Sequence, residues 1–423
     1  MSENNTSHHP SWKKFAALFL ASQNLSLFGS SVTGFAIIWH VTLETSSGTW
    51  MMLIILFSML PQVPVSMWGG VWADRYNRKH LVMAADSGIA AATLVLAILY
   101  LAGHDNLGLL LVISAVRSVG AGIQMPAVSA MIPQVVPKHQ LTRFGGINQS
   151  LNAVSQFLAP AIGGVVLGTV GIAWAFLVDV VTAAIAVLIL RFVPISPVRL
   201  PDESTSVWNE MKAGLAFSWR HPLLKALILF YGVSFFLISP AAFLTPIMIA
   251  RSFGDDVWRL TANELVWTAG SLIGGAYIAW KGAFQNKVRV IALSLAGFGI
   301  LFLLLGVCRS FGVYLLLMGG AGLILPFLTT AETVLIQEQV PMEVMGRVFS
   351  IVQITGLVAM PAGMLVFGPM ADHISIETLL VITGGVLAGT GLWFLKVGTK
   401  ATAAVAVNGR VPCKNQQGPD TKS

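Results

Sequence analysis

The chain has 423 residues, 55% of them hydrophobic and only 10% charged, with a formal net charge of +7. Soluble domains carry about 25% charged residues, so a water-soluble globule is excluded and lipid is the expected solvent. In lipid a positive balance reports which loops face the cytosol rather than nucleic-acid binding, and two cysteines supply neither a disulfide framework nor a zinc site.

The opening residues MSENNTSHHPSWKKF are polar, and residues 1–14 form a tail. The apolar run behind them is too long for a signal-peptide core, which predicts an uncleaved first span. A membrane-crossing helix needs about 20 mainly apolar residues. That ruler predicts twelve spans, at 15–41, 50–72, 80–102, 107–131, 143–168, 172–192, 223–249, 261–279, 288–307, 312–335, 348–370 and 378–396. Backbone groups in lipid must be satisfied within the segment, and runs this continuous are helices rather than barrel strands. The expected fold is an all-α integral membrane protein of twelve transmembrane helices.

With both termini in the cytosol, twenty-one of the 25 Lys and Arg fall on the cytosolic side, Arg251, Arg259 and Arg309 fall outside, and Arg117 lies within a span. That asymmetry sets the orientation. The polar interval 194–222 divides the spans into bundles at 15–193 and 223–396, with a tail at 397–423. It begins with a Pro-rich stretch and continues as VWNEMKAGLAFSWRH, which places Trp208, Met211, Leu215 and Trp219 on one face of a helix suited to the membrane interface. At a separation of 204 residues, IPQVVPKHQLTRFGGINQ (132–149) matches IQEQVPMEVMGRVFSIVQ (336–353), with Val136-Pro137 on Val340-Pro341 and Arg143 on Arg347. Two pseudo-symmetric six-helix bundles follow, with a substrate path between them.

The turn between the second and third spans reads G-V-W-A-D-R-Y-N-R-K, with Gly70, Asp74, Arg75, Arg78 and Lys79. It resembles the major facilitator superfamily signature G-x-x-x-D-R-x-G-R-R; Asn77 replaces the usual glycine and tolerates left-handed backbone. Arg117-Ser-Val-Gly120-Ala-Gly122 is similar to the family's R-x-x-x-G-x-G pattern in the fourth span. Ala159-Pro160-Ala-Ile-Gly163-Gly164 in the fifth is similar to the antiporter-associated G-P-x-x-G-G, with Ala159 in place of its glycine. FLVDVVTAAIA (176–186) and the repeated Val-Pro loops resemble the macrolide-efflux and enterobactin-exporter branch. The resemblance implies that the basic turn latches the two bundles together on the cytosolic side, and that Pro160, Gly163 and Gly164 bend the fifth helix. It further implies that the first, fourth, seventh and tenth spans line a cavity, with Gln23, Asn24, Phe28, Phe35, Gln124, Phe230, Tyr231, Phe235, Phe236 and Met318 among its walls.

An ionisable side chain at mid-bilayer costs about 2.5–3.5 kcal/mol on insertion scales, so each one is a functional hypothesis. Asp86, two turns past the basic turn, is assigned to the gating group as a partner for Arg75 or Arg78. Arg117 near the midplane either pairs with Gln124, Gln62 or a carbonyl, or biases a carboxylate's proton affinity. Asp179 in the sixth span and Glu332 in the tenth are proton-coupling or substrate candidates, each with a plain structural alternative. Glu264, nearer the outer end of its span, is expected to be solvated.

No G-x-x-x-x-G-K-[ST] phosphate loop occurs, His8, His9 and His40 have no metal-ligand spacing, and no nucleophile stands beside a base. The expectation is a non-enzymatic secondary transporter without cofactor or metal. It would export lipophilic small molecules such as macrolide-like antibiotics by proton antiport, as a monomer among membrane lipids in a bacterial inner membrane. Siderophore export and lysophospholipid flipping are the alternatives.

Overall fold

The computed structural model describes residues 12–137, 140–194, 219, 222–282, 284–340 and 342–408. The N-terminal half comprises α1 (Trp12–Thr45), α2 (Gly48–Met59), α3 (Gln62–Arg75), α4 (Arg78–Leu101), α5 (Leu107–Val135), α6 (Leu141–Thr169) and α7 (Ile172–Arg191). The C-terminal half comprises α8 (Pro222–Phe243), α9 (Thr245–Ser252), α10 (Val257–Lys281), α11 (Lys287–Val307), α12 (Phe311–Gln339), α13 (Met342–His373) and α14 (Ile376–Asn408). The expected linker, and the helix within it, lie outside the described residues apart from Pro194, Trp219 and Pro222.

Two spans are broken helices. Pro61, which has no N–H to donate, separates α2 from α3. Leu244 separates α8 from α9, where Pro246 occupies the first turn that tolerates it. Among the described residues, eleven segments are long and apolar enough to cross a membrane. The twelfth predicted span is α10, whose 25 residues reach about 37 Å at 1.5 Å per residue and carry Arg259, Glu264 and Lys281. At the other end of the chain α14 continues to Asn408, past the expected boundary at 396, because the sequence after Lys396 is rich in alanine, a strong helix former.

The halves repeat one pattern of packing. In the N-terminal half α1 packs on α6 and α7, α3 on α5, and α4 on α5 and α7. In the C-terminal half α8 packs on α13 and α14, α10 on α12, and α11 on α12 and α14, which is the same set of pairings one bundle later. Small residues permit the tightest of them: a Cβ on Gly299 of α11 would lie 2.2 Å from the Ala388 nitrogen of α14.

Between the halves, α2 packs on α13, α6 on α10, and α1 on α9. These contacts lie toward the face opposite the basic 69–80 turn, called here the far face. A Cβ on Gly48 would sit 2.2 Å from the Gly368 carbonyl, and one on Gly164 would sit 2.1 Å from Thr261 Oγ1. The largest buried apolar cluster crosses this boundary, joining Trp39, Met51, Met52, Ile55 and Leu56 to the C-terminal core.

Candidate functional site

A cavity of about 490 Å³ is walled by α1, α2, α4, α5 and α6 of the N-terminal half and extends toward the basic face, past Ile132 and Phe144. Its volume lies within the range of small-molecule sites, about 300–1,000 Å³. Apolar side chains supply most of the wall's surface, but between them stand the amides Gln23, Asn24, Gln124, Asn148 and Asn152, six serines and Arg117. Asn24 Nδ2 donates to Asn148 Oδ1 at 3.2 Å, which joins α1 to α6 across the cavity. Of the expected lining residues, Gln23, Asn24 and Gln124 are in this wall. Phe235 and Met318 line a separate chamber in the C-terminal half, Phe236 an open groove, and Phe230 and Tyr231 a space near Glu332.

Two carboxylates lie behind the wall. Asp179 of α7, 1% exposed, forms an ion pair with Arg117 of α5. Ser30 and Thr93 also donate to Asp179, at 3.1 Å and 3.3 Å, and Arg117 Nη1 donates to Thr93 Oγ1 at 2.6 Å. Arg117 and Asp179 were separate candidates in the sequence; the fold makes them one neutral unit, with Arg117 reaching the cavity surface. A buried charge needs such a partner, since an isolated one would cost several kcal/mol.

Asp86 requires a correction. Its Oδ1 accepts from Ser26 Oγ at 3.0 Å and Gln124 Nε2 at 2.5 Å, and its side chain is buried. It therefore lies behind the cavity wall, bonded to the lining residues Ser26 and Gln124 rather than to the basic turn, because α4 directs it inward toward α1 and α5. Its Oδ2 has no hydrogen-bond partner among the described residues. Glu332 is buried on α12 beside Tyr231 and Phe235, in a space of only about 10 Å³, no larger than one water needs. Glu264 is half-buried and lines a chamber in the C-terminal half, rather than standing on the open surface.

The basic turn acts on helix ends. Asn77 has φ −65° and ψ 110°, not the left-handed backbone its place in the motif suggested, and its side chain caps α4 by accepting from the Lys79 nitrogen at 3.0 Å. Arg78 donates to the carbonyls of Ala73 (2.8 Å) and Ala130 (2.9 Å), near the ends of α3 and α5. Lys79 Nζ donates to the carbonyls of Arg191 (2.7 Å) and Val193 (2.8 Å) at the end of α7. Cations at helix C-termini meet both orphan carbonyls and the negative end of the dipole. Arg75 is exposed, and a Cβ on Gly70 would meet open space. The Asp74 side chain lies outside the described residues.

Pro160 sits inside an unbroken α6. Gly163 lets that helix approach α1, where an added Cβ would lie 3.3 Å from the Val32 carbonyl, and Gly164 lets it approach α10.

One polar contact between halves was missed in the sequence. Asp372, the penultimate residue of α13, accepts from the first turn of α2, and Arg251 in the last turn of α9 donates to the carbonyls of Ala371 (2.8 Å) and Ser46 (2.5 Å). The available signal was a second G-x-x-A-D, at Gly368 to Asp372, matching Gly70 to Asp74.

Residues 19–364 match the family model of the Major Facilitator Superfamily. The chain is 29% identical over 381 residues to Macrolide efflux protein A of Streptococcus pyogenes, covering 88% of this chain and 93% of that one. It is 30% identical over 320 residues to Macrolide efflux protein A of Enterococcus faecalis, covering 74% and 99%. Its fold is similar to a solved POT family transporter in complex with 5-aminolevulinic acid, at a TM-score of 0.73 and 12% identity over 92% of this chain and 96% of that one.

Proposed function

Because the chain belongs to the Major Facilitator Superfamily, we propose that it is a secondary exporter of lipophilic small molecules, macrolide-like antibiotics among them, driven by proton antiport. The observation that carries this reading is the 490 Å³ cavity, mostly apolar in surface with amides and serines between the apolar groups, and backed by the Arg117–Asp179 pair and Asp86. Such a wall offers broad apolar contact together with many alternative hydrogen-bonding groups, which suits large lipophilic molecules that carry polar substituents. The similarity to two macrolide efflux proteins agrees with that substrate class.

In this reading the basic face is cytosolic, as the cation asymmetry requires, and the cavity is loaded from inside a bacterial plasma membrane. Export follows when the far-face contacts open and the C-terminal half closes over Gly70 and Arg75. Antiport needs a site that holds either proton or substrate. Asp86, Asp179 and Glu332 are the carboxylates available for it, and Arg117 is the cation that biases Asp179. Each charge moved draws about 2.3 kcal/mol per 100 mV from the membrane potential.

The test is purified protein in liposomes, with erythromycin as the probe and an imposed pH gradient. Expected is erythromycin movement that accelerates with the gradient and stops when it is collapsed. Movement indifferent to the gradient would remove proton coupling. No movement of erythromycin, with transport of a catecholate siderophore or a lysophospholipid instead, would replace the substrate class.

A further inference from the structure

The C-terminal half contains a second chamber, of about 220 Å³, that shares no lining residue with the large cavity. Phe235, Trp267, Phe298, Phe302 and Met318, from four different helices, are its largest apolar side chains, and Thr245 adds a hydroxyl to an otherwise mainly apolar wall. The Trp267 and Phe298 rings lie 6.5 Å apart and the Phe298 and Phe302 rings 5.6 Å apart, so the aromatic surface is continuous. Into this wall α10 places one carboxylate, Glu264.

Glu264 is poorly compensated. Its hydrogen bond among the described residues comes from Asn263 Nδ2, at a long 3.3 Å, and no described cation forms an ion pair with it. Arg259 on the same helix is held elsewhere: it pairs with Asp256 at 3.0 Å and lies over the rings of Trp258 and Phe311. The neighbouring Asn263 Oδ1 is buried without a partner among the described residues. A carboxylate in an apolar enclosure is costly unless a cation or donor reaches it. Aromatic faces attract the same cation through their quadrupoles, and desolvation strengthens the effect.

We propose that this chamber is a subsite for a lipophilic monovalent cation, an amine or quaternary ammonium, with Glu264 as its counter-ion and Trp267, Phe298 and Phe302 as its cage. The volume is below that of a complete drug site, so the chamber takes a small aryl-ammonium or the charged end of a larger molecule. Its role in selecting cargo rests on the export reading above; its occupancy does not.

The experiment uses the full chain in nanodiscs and equilibrium dialysis with radiolabelled benzyltrimethylammonium, whose charge is permanent. Saturable binding is expected, weakened at least about tenfold by Glu264→Gln and unchanged by Asp105→Asn, a substitution at an exposed carboxylate of the N-terminal half. Neopentylbenzene, which replaces the charged nitrogen with carbon, should compete at least about tenfold less well against wild type. Trp267→Leu opens the cage without touching the charge and should also weaken binding, which preserves the test if Glu264→Gln does not fold. Absence of saturable binding, or binding indifferent to Glu264→Gln and Trp267→Leu, overturns the proposal. Saturable binding that depends on Glu264 in a protein that moves nothing in liposomes would break the export reading and leave the subsite standing.

Discussion

The carboxylate of Asp372 accepts the backbone N–H of Gly48 at 2.6 Å, so the C-terminal half caps a helix that belongs to the N-terminal half. The Thr49 nitrogen (3.0 Å), the Thr49 hydroxyl (2.5 Å) and the Ser47 hydroxyl (3.1 Å) donate to the same carboxylate. An anion at a helix N-terminus meets free N–H groups and the positive end of the dipole together. Asp372→Asn turns part of that acceptor into a donor facing donors, and should release roughly 1–2 kcal/mol of far-face closure at this partly exposed position. Spin labels on Thr169 and Asp255 would report it as a longer-distance population increased about five- to thirty-fold. An unchanged distance distribution would mean that the apolar boundary alone holds the face shut.

Arg117 and Asp179 illustrate the opposite sign of charge burial. Removing one partner strands the other, and Arg117→Ala should cost about 3–5 kcal/mol in stability. Replacing both, as Arg117→Gln with Asp179→Asn, should cost much less than the sum of the single changes, because neither charge remains unpaired. Thermal unfolding followed by size-exclusion chromatography would measure this. Strict additivity would indicate that the two side chains act independently.

The span pattern was legible because lipid imposes a length and a composition on each helix; among the described residues eleven runs meet both, and α10 meets the length. The α10 segment reads weakest since Arg259, Glu264 and Lys281 interrupt it, two of them close to its ends. The breaks at Pro61 and Leu244 were not read, because hydropathy averages across them. At the site, Arg117 and Asp179 were visible as charges at membrane depth, but their pairing joins residues 62 apart and exists only once α5 and α7 are placed. Asp86 was misassigned for the same reason: distance along the chain put it near the basic turn, whereas the helical face put it against Ser26 and Gln124. Asp372 escaped notice because a carboxylate at a span end reads as solvated.

Lys79 and Arg75 are neighbours in the motif with different surroundings, and substitution should separate them. Lys79→Ala removes both donors from the end of α7 and should cost about 0.3–1 kcal/mol locally. Hydrogen exchange at residues 190–193 should quicken by roughly two- to fivefold. Arg75→Ala, exposed on the basic face, should leave that exchange untouched while slowing erythromycin export in liposomes. Equal effects of both variants on exchange would show that the turn works as a single electrostatic patch.

Gly164 tests whether far-face contact between α6 and α10 belongs to the transport cycle. Its missing side chain is what lets Thr261 approach, since a Cβ there would lie 2.1 Å from Thr261 Oγ1 and 3.2 Å from the Trp39 ring. Gly164→Ala must therefore push α6 from α10 or displace the threonine, at about 1–3 kcal/mol by the usual cost of overpacking. Because the clash spans the two halves, that cost falls on the far-face-closed arrangement and is relieved when the halves part there. The same pair of spin labels, on Thr169 and Asp255, should then show the longer distance gaining population, as for Asp372→Asn. Thr261→Ala removes the nearest atom and leaves the former Thr261 Cβ at 3.3 Å, so the double variant should return most of the population to the short distance. If Thr261→Ala does not rescue Gly164→Ala, the strain is borne inside the N-terminal half, through Trp39, and the glycine serves packing of that half rather than closure between the two.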